Sequence, residues 1–282
     1  SMKKVRFNQS CIKVQSMKNI IVISLGAGVQ SSTMALMAHE GLIDPMPTCA
    51  IFADTQNEPK YIYEYLEYLK GILKFPVYTV SKGDIKADML KPTTGGYTFP
   101  TAPFFTLKGK KKGMVMRQCT NTYKIQPIRK KIRDLLGLKR YQHVKKDMFV
   151  EQWIGISKDE IMRKKPARDK FITNRWPLLE ANMNRQDCID WMKERGYRMP
   201  EKSACNMCPF HDDKYWANLK KNHPDEFADA VDTDIKIRSL GRDKEAKMFI
   251  HKSCKPLSEV EFVAEEDQPD LFDNVCEGMC GV

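Results

Sequence analysis

Apolar positions in this chain fall into short runs separated by helix-length polar segments. Asn19 to Leu25 is a continuous apolar run containing β-branched residues. It reads as a buried parallel strand, because a strand covered on both faces shows no alternation. Thr48 to Asp54 repeats the pattern, and Val77 to Ser81 gives a third strand. Between them the spacing predicts a helix from Ser31 and an amphipathic helix over Glu58 to Leu73, rich in Tyr and Leu. Further on it predicts a helix over Ile125 to Leu136, a strand over Met148 to Ser157 and a helix over Arg185 to Arg195. Strand and helix alternate, which implies βαβ units on a mainly parallel sheet.

The stretch 91–118 breaks this rhythm with Gly-Gly, Pro100, Pro103, Phe104-Phe105 and a lysine cluster, and reads as a long, mobile, basic loop. Phe104 and Phe105 either form an apolar lid, stack on a base, or anchor the loop to the core. The formal charge of +11 concentrates here: residues 82–146 hold 17 Lys/Arg against 3 Asp/Glu. A polyanion is the natural partner of such a segment, either a nucleic acid (tRNA or DNA) or a nucleotide with several phosphate groups; a solvated lysine-rich surface is the alternative. At 282 residues the chain suits one large α/β domain with a C-terminal elaboration. We expect an N-terminal extension (1–18), a nucleotide-binding domain (19–181) and a C-terminal region (182–282). No secretory leader or membrane-spanning run is recognisable, so the nine cysteines are expected in a reducing cytoplasm as thiols or ligands. Oligomeric state is not legible.

Two features carry chemistry. The turn Ser24 to Ser32 follows the first strand, where Gly26 and Gly28 permit tight backbone turns that aim amide N–H groups at an anion, and Ser31 and Ser32 add hydroxyls. It is neither a Walker sequence nor a dinucleotide fingerprint. Cys205 and Cys208 form a Cys-x-x-Cys pair that suits either a tetrahedral metal or redox work, and Cys119 would add a third thiolate if the chain folds back. Asp54 ends the second strand, where a carboxylate either caps the strand or faces a ligand crevice. His211 reads as a helix N-terminal residue or a metal ligand. Cys49, Trp176, Trp191 and Trp216 read as core.

The turn, then Phe52-Ala-Asp-Thr55, Trp153 to Arg163, Arg175 to Glu180 and Cys205-x-x-Cys208-Pro209 match in order the phosphoadenosine phosphosulfate reductase family. The resemblance spans roughly Ile20 to Pro209 and is strongest with phage and bacterial reductase-like proteins. It implies a Rossmann-like (HUP-type) α/β fold, a mainly parallel sheet flanked by helices, with a helical C-terminal region. It would place Ser24, Gly26, Gly28, Gln30, Ser31 and Ser32 at the nucleotide phosphates, with Asp54, Thr55 and Gly155 nearby. Gln30 stands where ATP-cleaving relatives carry an aspartate. Lys158 and Arg163 would stabilise a leaving oxyanion. Cys119, Cys205 and Cys208 would hold an iron–sulfur cluster, 4Fe-4S by analogy, with the fourth ligand from Cys254, Cys276, Cys280 or a non-protein species; zinc is the alternative. The tail cysteines Cys276 and Cys280 are reminiscent of the family's nucleophile. The implied activity is reduction of an adenylyl sulfate with electrons from a thioredoxin-like partner. Two alternatives stay open: an ATP-dependent enzyme, with Mg as counterion, that thiolates tRNA or DNA; and a non-catalytic nucleotide- or DNA-binding regulator.

Overall fold

The computed structural model describes residues 19–91, 101–240, 243 and 245–262. Its centre is a five-stranded, wholly parallel sheet in the order β3-β2-β1-β6-β7: β1 (Asn19–Leu25), β2 (Cys49–Asp54), β3 (Val77–Ser81), β6 (Phe149–Ile154) and β7 (Ile172–Arg175). Successive residues of β1 serve opposite layers, as a pleated strand requires. Ile20 and Val22 pack on Ile128, Ile132 and Leu136 of α4 (Gln126–Leu135) and its C-terminal boundary. Ile23 and Leu25 face the layer built from α1 (Val29–His39), α2 (Lys60–Ile72) and α6 (Arg185–Glu194). The fold is therefore α/β and Rossmann-like. The strand order reverses between β1 and β6, and a crevice outside the carboxyl ends of the strands is expected at that point.

The helix expected over 125–136 is present as α4 and is preceded by a π-helical turn, Thr120–Ile125. Pro127 explains the turn. It has no N–H and its ring would strike the carbonyl of Tyr123 in a regular helix, so the backbone opens to an i→i+5 bond from Gln126 N to Asn121 O. The helix thus begins directly after Cys119.

The stretch read as a mobile loop over 91–118 carries a hairpin, which corrects that expectation; residues 92–100 lie outside the described residues. After α3 (Ile85–Leu90), β4 (Phe105–Lys108) and β5 (Lys111–Met114) pair across Gly109-Lys110, with Gly109 at φ +57°. The hairpin was masked because β5 is lysine-rich and fully exposed, so no apolar alternation marks it. Phe104 is completely buried and anchors the hairpin. β4 also pairs with β8 (Lys247–Phe249), giving a second, antiparallel sheet in the order β5-β4-β8.

The C-terminal region is helical: after the short α5 (Pro177–Glu180) come α6, opened by an Asn184/Asp187 capping box, then α7 (Asp213–Asn222) and α8 (Pro224–Ile237). Buried Asp234 on α8 accepts from Ile250 N (2.8 Å) and Leu257 N (3.1 Å) and pairs with Arg238, so one carboxylate ties down the segment that carries β8. Neither β7 nor β8 was expected from the sequence. Among the described residues no helix is long and apolar enough to cross a membrane.

At the switch point the exit from β6 runs against the first turn of α1. A Cβ at Gly155 would sit 2.8 Å from both N and Cα of Ser31, so only glycine fits without moving backbone. We expect Gly155→Ala to cost about 1–3 kcal/mol by overpacking. A fall in the urea midpoint relative to the parent checks it, and an unchanged midpoint would show that the two backbones separate freely.

Candidate functional site

The turn after β1 is built for close approach. Ala27 takes φ +58°, and Gly28 caps α1 with no side-chain hydrogen bond and no acidic residue in the first turn. Among the described residues neither a capping side chain nor an acidic first-turn residue offsets the positive end of the helix dipole, the condition under which an anion is favoured there. Ser31 Oγ accepts from Gly26 N at 3.1 Å and lies 3.4 Å from Gly28 O, so this hydroxyl holds the turn. Ser24 is buried beneath it. Ser32 is fully buried and near the Tyr65 hydroxyl of α2, inside the core layer. Gln30 is buried and its Nε2 reaches Ser157 Oγ at 3.4 Å, linking α1 to the loop after Gly155.

The Cys-x-x-Cys segment docks onto this turn and onto the exit from β2. Ser203 Oγ donates to Gly26 O at 2.5 Å, and Asn206 N donates to Asn57 O at 2.7 Å. Thr55 Oγ1 lies 3.2 Å from Cys205 Sγ. Asp54 accepts from Gln56 N (2.7 Å) and Tyr63 Oη (2.8 Å), so its carboxylate fixes the strand exit, where Gln56 takes φ +57°. Within the segment, Cys205 O accepts from Cys208 N at 2.9 Å and lies 3.0 Å from His211 Nε2. His211 therefore braces the cysteine turn, stacked on Tyr215 with ring centroids 3.5 Å apart. It precedes the Asp212 cap of α7.

Cys119 reaches the same place from the other side. Its N–H donates to Thr101 O at 2.9 Å, and Arg117 lies over the Phe210 ring, 5.4 Å from its centroid. Cys119, Cys205 and Cys208 line one small cavity with Thr55, Lys124 and apolar walls that include Ile85 and Met207. Lys124 and Glu58, both buried, form an ion pair at 3.4 Å. Glu58 Oε1 also accepts from Thr55 Oγ1 at 3.3 Å and stands 3.8 Å from Cys205 Sγ. Charge is thereby placed against the thiols inside the protein, where it is felt strongly.

The cavity holds about 20 Å³, room for a single water. Among the described residues no three His, Cys, Asp or Glu side chains are gathered closely enough to hold a metal ion. Cys119, Cys205 and Cys208 share one wall of this cavity. Cys254 lies apart from this cavity, beside Lys112 and Arg238, with Sγ 3.9 Å from Lys252 O. Cys276 and Cys280 lie outside the described residues. Lys158 is exposed, and Arg163 is held by buried Glu160 at 2.6 Å, which neutralises it. The sequence reading did not single out Ser203, Glu58 or Lys124. Lys124 had one signal, a lone cation five residues after Cys119.

No family model matches the chain, and no curated protein matches it. Among solved structures it is similar to phosphoadenylyl-sulfate (PAPS) reductase from Candida auris in its phosphate complex, with a TM-score of 0.38 and 12% identity over 67% of this chain and 78% of that one.

Two outcomes follow from the buried charges. Lys124→Met should destabilise the protein by about 3–5 kcal/mol by leaving Glu58 buried and unpaired, and adding Glu58→Gln should recover most of the loss; denaturant titration of the three proteins checks this. Burial, with Lys202 nearby, pushes His211 down to about 3. An unfolded histidine titrates near 6.5, so between about pH 6.5 and 3 the unfolded chain binds a proton that the folded chain does not. The His211 contribution to stability is therefore complete above about pH 6.5 and lost progressively down to about pH 3. His211→Gln should flatten that part of the stability profile, measured as the difference between the two proteins.

Proposed function

We propose that this chain is an adenine-nucleotide-binding enzyme that carries out sulfur chemistry with thiols at the carboxyl edge of its sheet. One observation carries the reading: the segment bearing Cys205 and Cys208 is bonded both to the glycine turn, through Ser203 and Gly26, and to the β2 exit, through Thr55 and Asn57. The Cys205/Cys208 thiols and the α1 N-terminus, which no described side chain caps, thus belong to one assembly at the switch point, where open α/β sheets take ligands. The ordered motifs that resemble phosphosulfate reductases support adenylyl sulfate as the nucleotide. Gln30 supports the same side, since a carboxamide already engaged with Ser157 is a poor substitute for a metal-binding carboxylate.

The chemistry this asks of the chain is limited and balanced. A thiolate attacks the sulfate sulfur of the bound nucleotide, the S–O bond to the nucleotide breaks, and the nucleotide leaves with the electron pair as a phosphate anion. A second thiol then attacks the sulfocysteine sulfur, forming a disulfide and releasing sulfite, and an external dithiol of the thioredoxin type returns two electrons. The α1 N-terminus would hold the leaving phosphate. Cys276 and Cys280 remain the proposed nucleophile and resolving thiol.

The test is calorimetric titration with adenylyl sulfate, phosphoadenylyl sulfate and ATP, followed by sulfite release with excess dithiol. We expect binding of a sulfated adenine nucleotide, weakened about five- to tenfold in Ser31→Ala, which loses the hydroxyl that holds Gly26. Iron, zinc and acid-labile sulfide measured on protein prepared without oxygen, against Cys205→Ser, report whether the thiols rearrange around a metal. Absence of binding by every adenine nucleotide would sink the proposal.

A further inference from the structure

A groove of about 930 Å³ runs along the outer face of α4, from Lys82 at the β3 exit to the turn 139–142 beyond the helix. Arg129, Lys130 and Arg133 line it, opposite the face that packs Ile128 and Ile132 on the sheet, and Asp134 is the one acid on its wall. Two of these cations are engaged: Arg129 pairs with Asp169, and Arg133 donates to Lys139 O (3.2 Å) and Gln142 O (2.6 Å). Among the described residues Lys82, Lys130, Lys139 and Arg140 form no salt bridge with a carboxylate.

The bonds from Arg133 serve a display. Residues 139–142 form a turn closed by Gln142 N to Lys139 O at 3.1 Å, and Tyr141 occupies its third position at φ +64°. That conformation favours glycine, and a bulky aromatic residue there is strained. Tyr141 is nevertheless 82% exposed, with the Arg140 guanidinium 4.8 Å from its ring centroid. An aromatic ring held in solvent beside Lys139 and Arg140, which form no salt bridge among the described residues, is the arrangement on which bases stack.

Arg129 also lines a second, partly open cavity of about 130 Å³ between α4 and the sheet. Gln152 of β6 and Asn174 of β7 are directly paired in register and line its floor. Asn174 is 8% exposed; its Nδ2 donates to Lys165 O at 3.0 Å, while its Oδ1 has no partner. Lys165 and Arg168 stand at the rim. The space is several times that of the thiol cavity, suited to one planar base whose edge would meet the two carboxamides.

We propose that the α4 face binds a single-stranded nucleic acid, with phosphates along Lys82, Lys130, Lys139 and Arg140, one base on Tyr141 and another seated between Gln152 and Asn174. A single strand is favoured over a duplex because only an unpaired base enters the cavity. The proposal stands on a different face from the thiol site and does not depend on the sulfur reading.

The experiment is fluorescence anisotropy with labelled homopolymer 12-mers, a matched duplex and anionic phospholipid vesicles across a salt series. Four phosphate contacts predict a log–log salt slope of about −3 for single strands, reduced by about 1.4 in the Lys130→Ala/Arg140→Ala protein. Tyr141→Gly relieves the backbone, so it should fold at least as well as the parent yet bind about tenfold more weakly. Asn174→Ala should level the differences in affinity among the four homopolymers. No binding, equal or tighter binding to duplex or vesicles, an unchanged slope in the double variant, or parent-like binding by Tyr141→Gly would each overturn the surface. A parent without base preference would overturn the seat in the cavity.

Discussion

Backbone against backbone contact between Gly155 and Ser31 sets the geometry on which the rest of the carboxyl edge is built. With no side chain at 155, the exit from β6 presses on the first turn of α1 and brings Ser157 to Gln30. The turn 26–28 is then held from three directions: by Ser31 from within, by the β6 exit beside it, and by Ser203 from the C-terminal region. The phosphate site proposed for this turn needs N–H groups fixed in advance, since an amide that must reorganise to bind loses the benefit of its dipole.

The thiol site has a different logic. Its members come from chain segments far apart in sequence, and polar bonds among Thr55, Glu58 and Lys124 organise them inside an otherwise apolar wall. Such a network is costly to leave half-satisfied, so it specifies one arrangement of the cysteines more sharply than packing alone would. His211 adds to this from beneath by bonding the carbonyl of Cys205.

Much of the parallel sheet was legible because strands buried on both faces announce themselves as unbroken apolar runs, as in Asn19 to Leu25. β7 was not, because its exposed Thr173 and the polar Asn174 interrupt the apolar pattern. The hairpin was hidden by lysines on an edge strand, a placement that protects the edge from pairing with other chains while erasing the alternation. At the candidate site, cysteines and glycines could be singled out by type and spacing. Glu58, Lys124 and Ser203 could not, since an ordinary Glu, Lys or Ser acquires meaning only from what the fold sets beside it.

The small antiparallel sheet joins Phe105 to Phe249, residues separated by about half the length of the chain. During synthesis the parallel core and the glycine turn have their strands well before β8 leaves the ribosome. Ala102 and Pro103, which wall the thiol cavity, lead directly into β4. Closing so long a loop is entropically slow, so that wall acquires its last support only when the C-terminal segment arrives. The parallel scaffold and the thiol pocket are therefore separated in time as the protein is made, with Cys119, Cys205 and Cys208 enclosed at the end.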